Sequence, residues 1–256
     1  MATRLFTTLI PRINPSVPGC SQPMMIQYIR DAAIRVCERS LAWRYTQPVF
    51  SLLPGVHEYT YNKPAQSDVH VLFDAMVNDR PLEKLTLEQA LYNYPEWADL
   101  YSGEDPSVLW SLTPPGSYNT FEYNENLFNE NEPFVLPDAI VAEGSEPRSI
   151  TQLTPDKYIV LPLPDNDKTY TMRMFYALKP SRTANGMDEY VFNDLEDAIL
   201  HNTLQHLLVL PDVGWKDREL ATYHARQFLL EVTSRRARAN LGTMRGVMRA
   251  SAPKFA

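Results

Sequence analysis

Long helical patterns occur only near the two ends of this chain, and the stretch between them is broken by proline, asparagine and aspartate. That arrangement limits the fold more than any other feature. Near the start, Ser21 is placed to cap a helix that opens Gln22-Pro23, because a proline in the first turn gives up no hydrogen bond. Apolar residues follow at Ile26, Ile29, Ala33, Val36 and Cys37, the stripe of an amphipathic helix running to about Leu41. Arg30, Arg35, Glu38 and Arg39 take the opposite side. Near the other end, Asn193 or Asp194 can cap a helix from about Leu195 to Leu210, stopped by Pro211. A longer helix is expected from about Asp217 to Leu241, closed by Gly242, with Ala221, Ala225, Phe228, Leu229 and Val232 as its core stripe. Glu231 and Arg235 make an i,i+4 pair in the favourable order. The link Pro211 to Lys216 is short, which predicts an antiparallel hairpin of the two helices.

Between the ends the pattern is extended. The chain holds 21 Pro against 9 Gly, which favours fixed turns between short strands and disfavours phosphate-cradling loops. Strands are expected at Val49–Leu53, His57–Tyr61, Val69–Val77, Val108–Leu112, Asn119–Tyr123, Tyr158–Leu163 and Thr169–Leu178. In the last of these Tyr170, Met172, Met174 and Tyr176 share one face. Asn78-Asp79-Arg80-Pro81 predicts a turn, and Thr86 to Tyr94 a short helix stopped by Pro95.

A helix of about 18 residues does not hold itself in water, so the first helix must pack on the last two. The middle is then an insertion whose ends lie close together. The expected class is α+β: a small antiparallel helical bundle of one N-terminal and two C-terminal helices, an inserted β-rich domain and an extended C-terminal tail. The expected divisions are 1–43, 44–190 with an acidic insertion at 115–147, 191–242 and 243–256. No stretch reaches about 18 uninterrupted apolar residues, which excludes a transmembrane helix. No signal peptide is expected at Met1–Ile10. Cys20 and Cys37 are too few for a disulfide framework, and a reducing compartment is the simplest fit.

Charge is segregated. The total is 24 basic against 31 acidic side chains, a net charge of −7. From Leu85 to Pro147 there are 12 acidic residues and no Lys or Arg. Beyond Glu231 no acid remains, while Arg235, Arg236, Arg238, Arg245, Arg249 and Lys254 follow. Thr243–Ala256 has too few apolar residues to fold alone, yet carries Met244, Val247, Met248 and Phe255. Such a mixture suits a segment ordered on a partner, and charge complementarity would orient the docking. The plainer alternative is that both charged regions are solvated faces.

No catalytic constellation stands out. His201 and His206 are five apart on a helix and do not share a face as an i,i+4 metal pair would, so each reads as a packed or surface histidine. His224 reads as structural, and His57 and His70 lack ligand partners at suitable spacing. No Gly-x-Ser-x-Gly, His-Glu-x-x-His or Gly-rich phosphate motif is present. Glu122 with Glu125, or Glu130 with Glu132, are nominal glycosidase pairs, and Trp97, Trp110, Tyr118 and Phe121 could line a sugar groove. Acids in a Pro- and Asn-rich segment are usually solvated, so a glycan-binding or glycan-cleaving protein is the alternative. Cys37 reads as core filling and Cys20 as a turn residue. Arg235-Arg236-Ala237-Arg238 could touch phosphate, but the net charge and the lack of interleaved aromatics argue against sequence-specific DNA recognition. Neither a cofactor nor a metal is expected.

Four stretches in order carry a resemblance. They are Val17-Pro18-Gly19-Cys20 leading into Ile26 to Trp43; Asn78-Asp79-Arg80-Pro81-Leu82 followed by Tyr94-Pro95-Glu96-Trp97; Leu161-Pro162-Leu163-Pro164-Asp165 with a strand ending Lys179-Pro180; and Asp197-Ala198-Ile199 through Leu207 to Pro211, then Trp215-Lys216-Asp217 and the helix with Ala221, Phe228 and Arg235. Together they resemble the head-to-tail adaptor (head-tail connector) proteins of tailed bacteriophages, including the tail tubular protein A type. The segment from Pro115 to Pro147 departs from that pattern. The resemblance implies a non-enzymatic virion structural protein at the head-tail junction, made in the host cytoplasm. It implies a homo-oligomeric ring, usually of twelve copies, between the portal protein and the next tail or nozzle protein. Double-stranded DNA would pass through the bore during ejection, without sequence-specific contacts and with no membrane involved. It also implies a C-terminal segment that clasps the portal. By position the portal interface is Arg235, Arg236, Arg238, Arg245, Met248, Arg249, Lys254 and Phe255.

Overall fold

The computed structural model describes residues 2–54, 56, 58–94, 146–165, 168–211 and 213–241. The chain is mixed α+β and forms two compact units. One takes Met1–Thr46, Asn62–Phe73 and Phe175–Ala256, the other Gln47–Tyr61 and Asp74–Met174. The chain therefore passes between units four times, three of them inside long strands rather than at turns.

In the first unit, β1 (Thr3–Leu5) pairs antiparallel with β10 (Gly186–Asp188), Arg4 opposite Met187. The approach is close: a Cβ on Gly186 would lie 2.4 Å from the Arg4 carbonyl oxygen, so only glycine fits. Short helical turns follow, including α1 (Ile10–Ile13). Phe6, Leu9, Ile13 and Val17 are all fully buried, one apolar side chain per turn. Gly19 then turns the chain with φ of 90°, a value glycine adopts freely.

Helix α2 (Gln22–Ser40) has the expected bounds, but its details differ from the sequence reading. Ser21 occupies the N-cap position without a side-chain capping bond; its carbonyl instead accepts from Met25 N–H. Met25, Ile29, Ala32, Ala33, Val36, Cys37 and Ser40 are buried, whereas Ile26 is only half-buried. The helix ends on Leu41 in the left-handed region, with φ of 53°. Helix α4 (Glu189–Leu207) starts six residues earlier than expected. Its cap is Asp188, whose carboxylate accepts from Tyr190 and Val191 N–H, and not Asn193 or Asp194. Helix α5 (Arg218–Leu241) follows, with Asp217 Oδ1 accepting from Leu220 N–H at 2.9 Å.

Helix α4 packs on α5, and α2 packs on both. The α4–α5 pair is antiparallel: Asp217 N–H reaches the Leu208 carbonyl, His201 meets His224 and Asp194 meets Arg235. On α5 the buried positions are Ala221, His224, Phe228 and Val232. Leu229, expected in that stripe, is 54% exposed, and Ala225 is half-buried. A seam of steps three, four and four leaves no room for both Phe228 and Leu229.

In the second unit, β3 (Tyr59–Thr60), β8 (Lys157–Leu161), β7 (Ser149–Gln152) and β6 (Glu83–Lys84) form a sheet in that order. Neighbours are antiparallel except β6 and β7, which are parallel. Helix α3 (Leu87–Asn93) opens with a capping box between Thr86 and Gln89. Leu85, Ala90, Ile159 and Leu161 bury one another, with Leu87, Leu91, Tyr94 and Leu153 packed around them. Tyr158 stacks on Tyr59 and tilts against Tyr61.

A further sheet takes β2 (Arg44–Leu52), β9 (Tyr170–Pro180), β4 (Ser67–Val77) and β5 (Arg80–Pro81) in that order. β4 and β5 form a hairpin whose two loop residues, Asn78 and Asp79, both have positive φ. That is the turn in which asparagine and aspartate are favoured. On β9 Tyr170, Met172, Met174 and Tyr176 are buried, the face expected from alternation, and Leu178 extends it. The strands expected at Val108–Leu112 and Asn119–Tyr123 lie outside the described residues.

Candidate assembly surface

The basic end of α5 begins as an internal clasp and becomes a surface within one turn. Arg235 is hydrogen-bonded to Asp194 of α4 and lies 3.5 Å from Glu231 one turn earlier on its own helix. Its side chain is only 18% exposed. Arg238 reaches the same Asp194 carboxylate at 3.7 Å but stays 56% exposed, and Arg236 points into solvent. Of the residues assigned to the portal interface by resemblance, Arg235, Arg236 and Arg238 are thus placed here. Arg245, Met248, Arg249, Lys254 and Phe255 lie outside the described residues.

The hairpin that carries this end is held from two other sides. Arg4 spans to Asn193 and, at 3.1 Å, to Glu196, and its guanidinium lies 4.8 Å from the centre of the Phe192 ring. Arg12 bonds Glu196 at 2.8 Å and Asp197 at 2.9 Å, and those carboxylates push its pKa further up. From α2, Arg39 sits over the Phe228 ring and Arg35 is bonded to His206. Trp215, in the link between α4 and α5, lies beside Gly19, where an added Cβ would be 3.7 Å from the indole ring. Two of the sequence stretches singled out above therefore meet in space.

The outward side of α5 is not a uniformly polar helix face. Tyr223 is 52% exposed and Leu230, seven residues on and so on the same side, is 64% exposed. Leu229 adds to the apolar area and Arg226 lies between them. Two exposed large apolar residues on one face of an otherwise well-packed helix mark a surface available for contact.

The histidines divide as their five-residue spacing predicts. His201 faces α5, where its Nδ1 is 2.8 Å from Nδ1 of His224; His206 faces Arg35 of α2. The pairing of His201 with His224 was missed by sequence reading. The hairpin link was the available signal: His201 is seven residues before Leu208 and His224 seven after Asp217, so an antiparallel return brings them together. Cys37 is fully buried in the core and burial pushes its thiol pKa up. Among the described residues no three His, Cys, Asp or Glu side chains could hold one metal ion, and no helix is long and apolar enough to cross a membrane. Glu122, Glu125, Glu130 and Glu132, with Trp97, Trp110, Tyr118 and Phe121, lie outside the described residues, as does His57.

No curated protein matches this chain. A family model described as SU10 adaptor protein matches residues 5–251, nearly the whole length and every element described above except the first two residues of β1. The chain belongs to the SU10 adaptor protein family, a family of phage head-tail adaptors.

Proposed function

We propose that this chain is a virion structural protein that closes into a ring at the head-tail junction and joins the portal to the tail around the path of the DNA. Family membership supports a structural phage adaptor. The observation that carries the finer reading is the end of α5: a hairpin clamped by Arg235 and Asp194, from which Arg236 and Arg238 lead outward into a segment with no acidic residue. The clamp fixes the last turns of α5 against α4, and that segment follows them in the sequence. Arg236, Arg238, Arg245, Arg249 and Lys254 then give orientation against an acidic partner surface, and Met248 and Phe255 give the apolar anchors. Tyr223 and Leu230 supply a face that a neighbouring copy would cover. Repetition around a ring, with twelve copies as in similar adaptors, makes a firm joint from individually weak contacts.

The role proposed is binding, not catalysis, and the DNA is conducted without base contacts. Two measurements test this. Deleting residues 243–256 should leave a folded protein that no longer sediments with the portal ring. Leu230→Asp with Tyr223→Asp should leave helix content intact and reduce ring formation on the portal by at least about tenfold, the cost of burying charge in an apolar contact. If the truncated chain still joins the portal as the full chain does, the C-terminal assignment is wrong.

A further inference from the structure

We infer that His201, His224 and His206 form a proton-operated latch: the α4–α5 hairpin and its seam with α2 are closed while these imidazoles are neutral and loosen when they take up protons. This does not rest on the adaptor reading. The first support is geometric. Two imidazole Nδ1 atoms 2.8 Å apart can share one hydrogen, one ring donating and the other accepting. Once both are protonated, two N–H donors and two positive charges face each other, and the bond is lost. The second seam has the same requirement by a different route. A guanidinium has no acceptor, so the Arg35–His206 bond needs a lone pair on His206 Nε2. Protonation there removes the acceptor and sets imidazolium against guanidinium.

The surroundings hold the rings in the neutral form. Around His201 stand Asp197 on its own helix, Arg12 from α1, and His224, Tyr223 and Glu231 from α5. The two carboxylates would favour a cation, but each already faces one: Asp197 bonds Arg12 at 2.9 Å and Glu231 lies 3.5 Å from Arg235. His224 is 8% exposed, with Tyr223 edge-on and His201 opposite. His206 has Arg35 beside it and Asp31 further along α2. Burial lowers all three pKa values from 6.5; Arg35 adds to this at His206, and His201 adds to it at His224. The unfolded chain then binds more protons than the folded one between the lowered values and 6.5. Stability is full above pH 6.5 and falls as the pH drops through that window.

The test uses the full chain. Thermal unfolding is followed from pH 8 to pH 5 for the wild type, for His201→Gln with His224→Gln, for His206→Gln and for the control His70→Gln on β4. The wild type and the control should lose roughly 5 °C or more in Tm between pH 7 and pH 5.5. The other two variants should lose distinctly less over the same interval. Should either variant fail to fold, imidazole NMR titration of the wild type decides: His201, His206 and His224 each titrate below pH 6.5. Equal pH slopes in wild type and folded variants, or any of His201, His206 and His224 titrating at or above 6.5, would overturn the latch.

Discussion

The two units are held together at different distances along the sequence. In the helical unit the closing contacts join the chain's beginning to its last quarter: Phe6 against Phe192, Arg4 to Glu196, Arg12 to Asp197. In the sheet unit the Thr86–Gln89 cap is local, but the core joins Leu85 and Ala90 to Ile159 and Leu161, and Tyr59 to Tyr158, over shorter separations than in the helical unit yet still between segments far apart in the sequence. Long-range closure fixes a register that no local change can restore. A local closure such as the Thr86 cap tolerates more, because the residues it joins are already neighbours in the chain. The helical unit, closed by contacts between the chain's beginning and its last quarter, is the one that carries Arg235, Arg236 and Arg238.

Substitutions can break or sharpen this contrast. The largest effect is expected from Phe192→Ala. The ring is fully buried between Phe6 and the Arg4 guanidinium, and its loss should cost about 3–5 kcal/mol in denaturant unfolding of the helical unit. A loss under about 1 kcal/mol would mean that the N-terminal strap does not close the unit. Next comes Gly186→Ala, whose new methyl would meet the Arg4 carbonyl. The β1–β10 pairing should open, at about 1–3 kcal/mol, with faster amide exchange at Thr3–Leu5. The smallest effects come from the caps, where the two units can be compared directly. Asp188→Ala removes a carboxylate that accepts two N–H groups at the start of α4 and should cost about 1 kcal/mol or somewhat more. Thr86→Ala breaks one half of the α3 box and should cost about 0.5–1 kcal/mol, read in the sheet unit only. Equal losses spread over both units in either case would erase the distinction.

Much of the helical unit was legible because 3.6-residue periodicity and punctuation agree. Pro23 in the first turn and the stripe from Ile29 to Cys37 give α2 nearly to the residue. The start of α4 was not, because Tyr190, Val191 and Phe192 read as strand formers while Asp188 provides a cap. Asn193 and Asp194, natural capping residues, are spent on Arg4 and Arg235 instead. Leu229 shows the limit of hydropathy: His224 is buried because another histidine meets it, and Leu229 is left outside. Strands β1, β7 and β10, of three or four residues each, gave no pattern long enough to read.

The sequence by itself determined the class of element at each end of the chain, the turn at Asn78-Asp79, the buried face of β9 and the separation of acid from base. These follow from periods and backbone preferences that act over a few residues. Only the tertiary structure decided which polar side chains meet: His201 with His224, His206 with Arg35, Arg235 and Arg238 on Asp194. The registers between packed helices depend on the fit of whole faces, and no window of sequence contains both faces at once.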